Sequence, residues 1–143
     1  MRAVCQRVSR ARVSTGGEIA GTIGSGLCVL LGVARGDRAD EAERLAGKVA
    51  RLRVFEDAGR FDRSLLDAGG SALVVSQFTL IADTGKGSRP SFADAAPLEQ
   101  AQPLYELFCA ALRGLGVPVE TGVFGARMEL ELVNDGPVTI VLG

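Results

Sequence analysis

The run Ser76-Gln77-Phe78-Thr79-Leu80 places two hydroxyls and a carboxamide directly behind the apolar Ala72-Leu73-Val74-Val75. A buried strand that ends in polar residues presents them to a cleft from a rigid base. Gln77 can donate and accept, Ser76 and Thr79 offer hydroxyls, and free backbone N–H groups at a strand end can face an oxyanion. From composition alone the plainer account is a local turn closed by those hydroxyls, since neither has an evident base. The second candidate is Gly136-Pro137, within VNDGPVTIV at residues 133–141. Proline gives no N–H to a ladder and glycine weakens a strand, so the pair reads as a turn between two strands. Only about 5–6% of X–Pro bonds in folded proteins are cis, so composition favours a trans bond here.

What is missing narrows the chemistry further. There is no histidine in the 143 residues, which removes Ser-His-Asp and Cys-His pairs and the commonest general base and metal ligand. Proton handling is left to carboxylates, lysine, backbone, water or the substrate. No GxxxxGK[ST] or GxGxxG is present, and the acidic residues show no HExxH or EF-hand spacing, so neither cofactor nor metal is expected. Cys5, Cys28 and Cys109 are odd in number, far apart and in apolar context. They read as buried free thiols in a reducing cytoplasm. The net charge of −1 gives no whole-surface attraction for nucleic acid, and no DNA partner is expected. Local basic patches remain at Arg7, Arg10 and Arg12 and at Lys86 with Arg89. On charge alone both read as solvated faces.

The elements that must position these groups are legible from periodicity. Residues 3–13 alternate loosely, Ser14-Thr15-Gly16-Gly17 turns, and 18–23 returns as a hairpin. Leu27–Val33 is near-continuously apolar, as in a central strand with both faces covered. Ala42, Leu45, Ala46, Val49 and Leu52 define one face of a helix over 39–52, with Asp37 or Asp40 as its cap. RLRVF at 51–55 reads as a short strand, 57–70 as a polar loop, 71–78 as a second apolar strand and 81–92 as a long loop. A second amphipathic helix lies within 98–115, with Pro97 or Pro103 in its first turn, or Pro103 as a kink. Strands over 118–122, 127–133 and 137–142 complete the chain. The order suits one α+β domain, residues 1–143, with a mainly antiparallel, partly barrel-like sheet covered by two helices. The sheet surface left over is expected to be buried by a second copy of the chain. No apolar run reaches the roughly 18 residues of a membrane span, and the N-terminus has no secretory h-region, so a cytoplasmic protein is expected.

VVSQFTL (74–80), RPSF (89–92) and VNDGPVT (133–139) together resemble the D-aminoacyl-tRNA deacylases. QRVSRARV (6–13) and GEIAGTIGSGLCVLLGV (17–33) are similar to that family's first strands, and the likeness runs almost end to end. It implies a homodimeric ester hydrolase that releases D-amino acids, or mischarged glycine, from aminoacyl-tRNA. It also implies a pocket built at Ser76, Gln77, Phe78, Thr79 and Leu80, largely from main chain. On the same basis Gly136-Pro137 is cis and reaches into the partner subunit's pocket, with Arg7 holding it in place. Lys86 and Arg89 become the candidates for RNA contact.

Such a gate suits chiral proofreading. A stiff dipeptide can present two carbonyls to the substrate's α-amino group and leave no room for an L side chain. Exclusion by clash does not reject glycine, which has no side chain. An aminoacyl ester is already activated, and the neighbouring 2′-hydroxyl can assist water, so a backbone oxyanion site near Phe78–Thr79 suffices. Thr79 as a nucleophile is the rival mechanism. The other readings are a sibling deacylase with a trans Gly-Pro acting on L-aminoacyl-tRNA, and a non-catalytic RNA-binding module.

Overall fold

The computed structural model describes all residues from Met1 to Gly143. Its spine is strand β1 (Arg2–Thr15). One edge of β1 is shared by two strands. Its first half pairs with β3 (Gly26–Gly32) and its second half with β2 (Glu18–Ile23), both antiparallel. The Gly16-Gly17 turn between β1 and β2 uses positive φ at both glycines, the conformation glycine adopts at least cost.

The sheet continues from β3 through β6 (Ser71–Ser76) to β7 (Val119–Thr121), and both of these ladders are parallel. The other edge of β1 carries β8 (Glu129–Leu142), again antiparallel. Right-handed twist curls such a sheet, and here β2 comes round to meet β7. A Cβ on Gly21 would lie 2.6 Å from the Thr121 carbonyl oxygen, so only glycine lets the near-barrel close there.

Helices α1 (Ala39–Arg51) and α3 (Leu98–Gly114) cover one face. They bury Leu45, Val49, Phe108 and Leu112 against Leu27, Leu31 and Val74 in the main core. Full burial of each large side chain contributes about 1.5–3 kcal/mol. On the other face Val8, Ala11, Val13, Ile23, Cys28, Leu73 and Val75 form a second core. Val8 and Ala11 share that face despite their odd spacing. The ladder steps two residues on β1, Val8 to Arg10, for one on β8, and this bulge resets the alternation.

Several expectations need correction. Residues 57–70 are not a loop. Phe55–Asp57 (β4) and Arg60–Arg63 (β5) form a hairpin around Ala58-Gly59, and Leu65–Ala68 is a one-turn helix, α2. A capping box stabilises that turn: the Ser64 hydroxyl accepts from the Asp67 N–H while the Asp67 carboxylate accepts from the Ser64 N–H. These bonds from the Ser64 backbone and hydroxyl hold the Asp67 carboxyl below its usual range. The short strand therefore starts at Phe55 rather than Arg51, since its partner residues are 60–63.

Neither Asp37 nor Asp40 caps α1. The N-cap position is Arg38 without a side-chain bond, and Asp37 instead accepts from the Ala34 N–H at 2.7 Å. In α3 the helix starts at Leu98, after Pro97, and runs through Pro103. The carbonyl left unbonded by that proline belongs to Glu99, which is exposed to water. No helix is long and apolar enough to cross a membrane.

Candidate active site and the Arg7 clasp

The end of β6 is held by its parallel neighbour. Leu31 pairs with Ser76, and the Gln77 N–H donates to the Leu31 carbonyl at 2.8 Å, one bond beyond the strand. The chain then tightens into a 3₁₀ turn, Phe78–Ile81. Gly32 of β3 passes beneath this turn, where a Cβ would sit 3.0 Å from both the Gln77 carbonyl oxygen and Leu80 Cβ. The missing side chain is what lets the turn fold back over β3.

Above it lies a cleft of about 390 Å³. Ser76, Gln77 and Phe78 line one wall; Leu98 and Ala101 of α3, and Phe124 and Met128 beyond β7, line the rest. None of the 13 lining residues is ionisable. The cleft can bind an apolar group and offer it hydroxyl, carboxamide and main-chain hydrogen bonds. It has no side chain that could exchange a proton near neutral pH.

Thr79 and Leu80 lie on the 3₁₀ turn and are absent from the lining. The Thr79 hydroxyl is exposed and accepts from Gln77 Nε2. The Leu80 carbonyl accepts from Arg2 Nη1 at 2.7 Å, which ties the turn to the start of β1. Phe78 meets Phe92 edge to face with ring centroids 5.1 Å apart, so the SQFTL and RPSF segments join beside the cleft. The intervening loop is pinched at its base by Asp83 and Ser91, which exchange two backbone bonds of 2.8 Å. Lys86 and Arg89 project from that loop, exposed and without an ion pair in the chain.

The wall from Phe124 and Met128 escaped the sequence reading. Its residues follow a short strand, with no periodicity to mark them as facing residues 76–78. Only Phe124 beside Gly125, an aromatic in a turn, offers a local signal.

The second candidate is built differently. The expected strands 127–133 and 137–142 are one strand, β8, because both halves pair with β1. Between the Val8–Asn134 and Gln6–Thr139 pairs, residues 135–138 stand opposite Arg7 alone: Asp135, Gly136 and Pro137 are exposed, and Val138 turns back into the main core. Asn134 spans the gap: its Nδ2 donates to the carbonyls of Arg7 (2.8 Å) and Val138 (3.0 Å).

The Arg7 side chain points inward and is only 6% exposed. Nε donates to the Asp135 carbonyl at 3.2 Å, Nη1 to the Val54 carbonyl at 2.8 Å and Nη2 to Glu56 Oε1 at 3.3 Å. Asp135 Oδ2 lies 3.4 Å from Nε. The Gly136–Pro137 bond is cis, and Gly136 has a φ of 127°. A Cβ there would sit 2.8 Å from Val138 Cγ2 and 3.2 Å from Arg7 Nη2. Both residues are exposed, and neither lines the chain's own cleft.

The cysteines take no part. All three are buried, and burial pushes the Cys5 and Cys28 thiols up to about 12 and Cys109 to about 11, so they stay protonated and unreactive near neutral pH.

A near-closed α+β barrel with helices on one face and a non-ionisable cleft at the end of a central strand sets the structural class. Within that class the family model described as D-Tyr-tRNA(Tyr) deacylase matches residues 4–143, and the chain belongs to that family. It is 63% identical over 143 residues to a D-aminoacyl-tRNA deacylase of Roseiflexus sp. (strain RS-1), covering 99% of this chain and 92% of the relative. The D-aminoacyl-tRNA deacylase of Deinococcus radiodurans is 58% identical, with 99% of each chain covered. Among solved structures, the c-Myc DNA Unwinding Element Binding Protein superposes with a TM-score of 0.95 at 46% identity, over 100% of this chain and 98% of that one. A probable eukaryotic D-amino acid tRNA deacylase gives 0.83 at 17% identity, over 99% and 97% of the two chains, a likeness of fold alone.

Proposed function

We propose that this chain hydrolyses the ester joining a D-amino acid, or mischarged glycine, to tRNA. The observation that carries this reading is the end-to-end match to a deacylase family, whose curated relatives share about 60% of their residues with this chain. The cleft supports it in kind, because an activated ester needs positioning and charge stabilisation more than a strong base.

In this mechanism the backbone N–H groups around Phe78 and Thr79 stabilise the oxyanion. Gln77 and Ser76 orient the aminoacyl group, and the 2′-hydroxyl of the terminal adenosine assists the attacking water. Two copies of the chain assemble so that Gly136-Pro137 of each enters the other's cleft. There its carbonyls accept from the α-amino group and its backbone blocks an L side chain. That this pair is exposed on its own subunit and lies outside its own cleft supports a role across an interface. Lys86 and Arg89 hold acceptor-stem phosphates.

The test is one tRNA charged with D-Tyr, Gly or L-Tyr and followed for release. D-Tyr and Gly are expected to leave and L-Tyr to stay. Resistance of the glycyl ester alone overturns the steric gate; resistance of the D-tyrosyl ester overturns the activity. Sedimentation in parallel reports the dimer, and a fully active monomer overturns the cross-subunit arrangement.

A further inference from the structure

The Arg7 guanidinium is a rivet between two segments, and only one of them is the 135–137 bulge. The other is the β4–β5 hairpin, which contributes nothing to the cleft. Glu56 and Phe61 are direct partners in that hairpin. Residues opposite each other in an antiparallel pair project from the same face. The pair therefore presents a carboxylate and a ring to Arg7 together: Glu56 Oε1 lies 3.3 Å from Nη2, and Cζ lies 5.6 Å from the centroid of the Phe61 ring. Just before the hairpin, the Val54 carbonyl takes Nη1 at 2.8 Å.

Phe61 is 53% exposed. A large apolar side chain that far from any core gains little by burial. Its contact with a cation whose own side chain is 7% exposed is what distinguishes it. The ring lies within cation–π range of the guanidinium, and the guanidinium's bonds to Asp135 are stronger the less water reaches them.

We propose that the β4–β5 hairpin is the positioning element for the Asp135–Pro137 bulge, with Phe61 as a specificity-determining residue that acts through Arg7. The catalytic effect rests on the proposed deacylation; the mechanical effect does not. Removing the ring lets Arg7 sample solvent, loosens the bulge and relaxes the exclusion of L-aminoacyl groups, while the cleft at Gln77 and Phe78 keeps its shape.

The experiment compares wild type, Phe61→Ala and Phe61→Tyr in two readouts. In the first, amide exchange of Asn134 and Thr139, the ladder residues on either side of the bulge, is expected to quicken about tenfold in Phe61→Ala, with β3 and β6 unchanged, and to return to wild type in Phe61→Tyr, which keeps the aromatic face. In the second, the ratio of D-Tyr to L-Tyr release from tRNA is expected to fall about tenfold in Phe61→Ala through faster L-Tyr release, and to recover in Phe61→Tyr. Unchanged exchange at these two residues, or exchange quickened equally throughout the sheet, overturns the proposal. Exchange that quickens there without any loss of stereoselectivity overturns the specificity role. If wild type releases no D-Tyr, the deacylase reading fails, and the exchange readout alone still decides the clamp.

Discussion

The two candidate regions are held by opposite means. The turn after β6 rests on the buried centre of the sheet: a parallel ladder, the Gln77–Leu31 bond and a glycine that admits close contact. Its geometry is fixed redundantly, so removing any one side chain leaves residues 76–78 in place, and only added bulk displaces them. The β8 bulge leaves the ladder and stands in solvent, with its position fixed by Asn134 and one buried cation. A region fixed by packing is hard to perturb except by sterics. A region held by two polar side chains can be loosened by removing one of them. The contrast teaches where discrimination and turnover should separate under mutation.

Gly32→Ala attacks the first region and carries the largest expected effect. The new methyl lands on the Gln77 carbonyl and Leu80, costing about 1–3 kcal/mol of stability. The resulting shift of the turn lowers turnover by about 10²-fold. Single-turnover release of D-Tyr and a thermal melt check both, and near-normal turnover would mean the reaction does not depend on the fixed turn.

Arg7→Met attacks the second. The Val54 carbonyl loses its donor, which costs about 1–3 kcal/mol in urea unfolding. Discrimination between D-Tyr and L-Tyr esters is expected to fall about 30-fold, within the range that distorted pocket contacts produce. If turnover on the D-ester falls equally, the two regions are not separable and the contrast fails.

Lys86→Ala and Arg89→Ala touch neither framework. Each is expected to lower the slope of log affinity against log salt for tRNA by about 1, with enantiomer preference unchanged. Fluorescence titration over a salt series measures this, and an unaltered slope removes those residues from the RNA contact.

Thr79→Ala carries the smallest effect. Its hydroxyl is exposed and outside the cleft lining, so turnover should stay within about threefold of wild type, whereas loss of a nucleophile costs about 10⁴-fold or more. A deficit on that larger scale would replace substrate assistance with covalent catalysis by Thr79.

Legibility differed along the chain for physical reasons. The strand over 27–33 and the helix over 39–52 were readable because burial on a fixed period leaves a pattern in composition. The β4–β5 hairpin and α2 were missed because they are short and mostly exposed, so no apolar period marks them. Their signals were chemical and local: Ala58-Gly59 for the turn and Ser64 three residues before Asp67 for the cap. The split of β8 into two strands followed the local meaning of Gly-Pro. The opposing strand β1 overrides that meaning by pairing on both sides of it.

By itself the sequence settled the chemistry that is absent. A chain without histidine has no imidazole to place, whatever its fold. It also settled the central strand over 27–33 and the two long helices, because a local period is written in neighbouring residues. The family resemblance named Arg7 as the residue that holds Gly136-Pro137, but only the tertiary structure decided through which partners it does so. Its partners Val54 and Asp135 lie 47 and 128 residues away, and such bonds exist only once the sheet has closed and brought three segments around one buried charge.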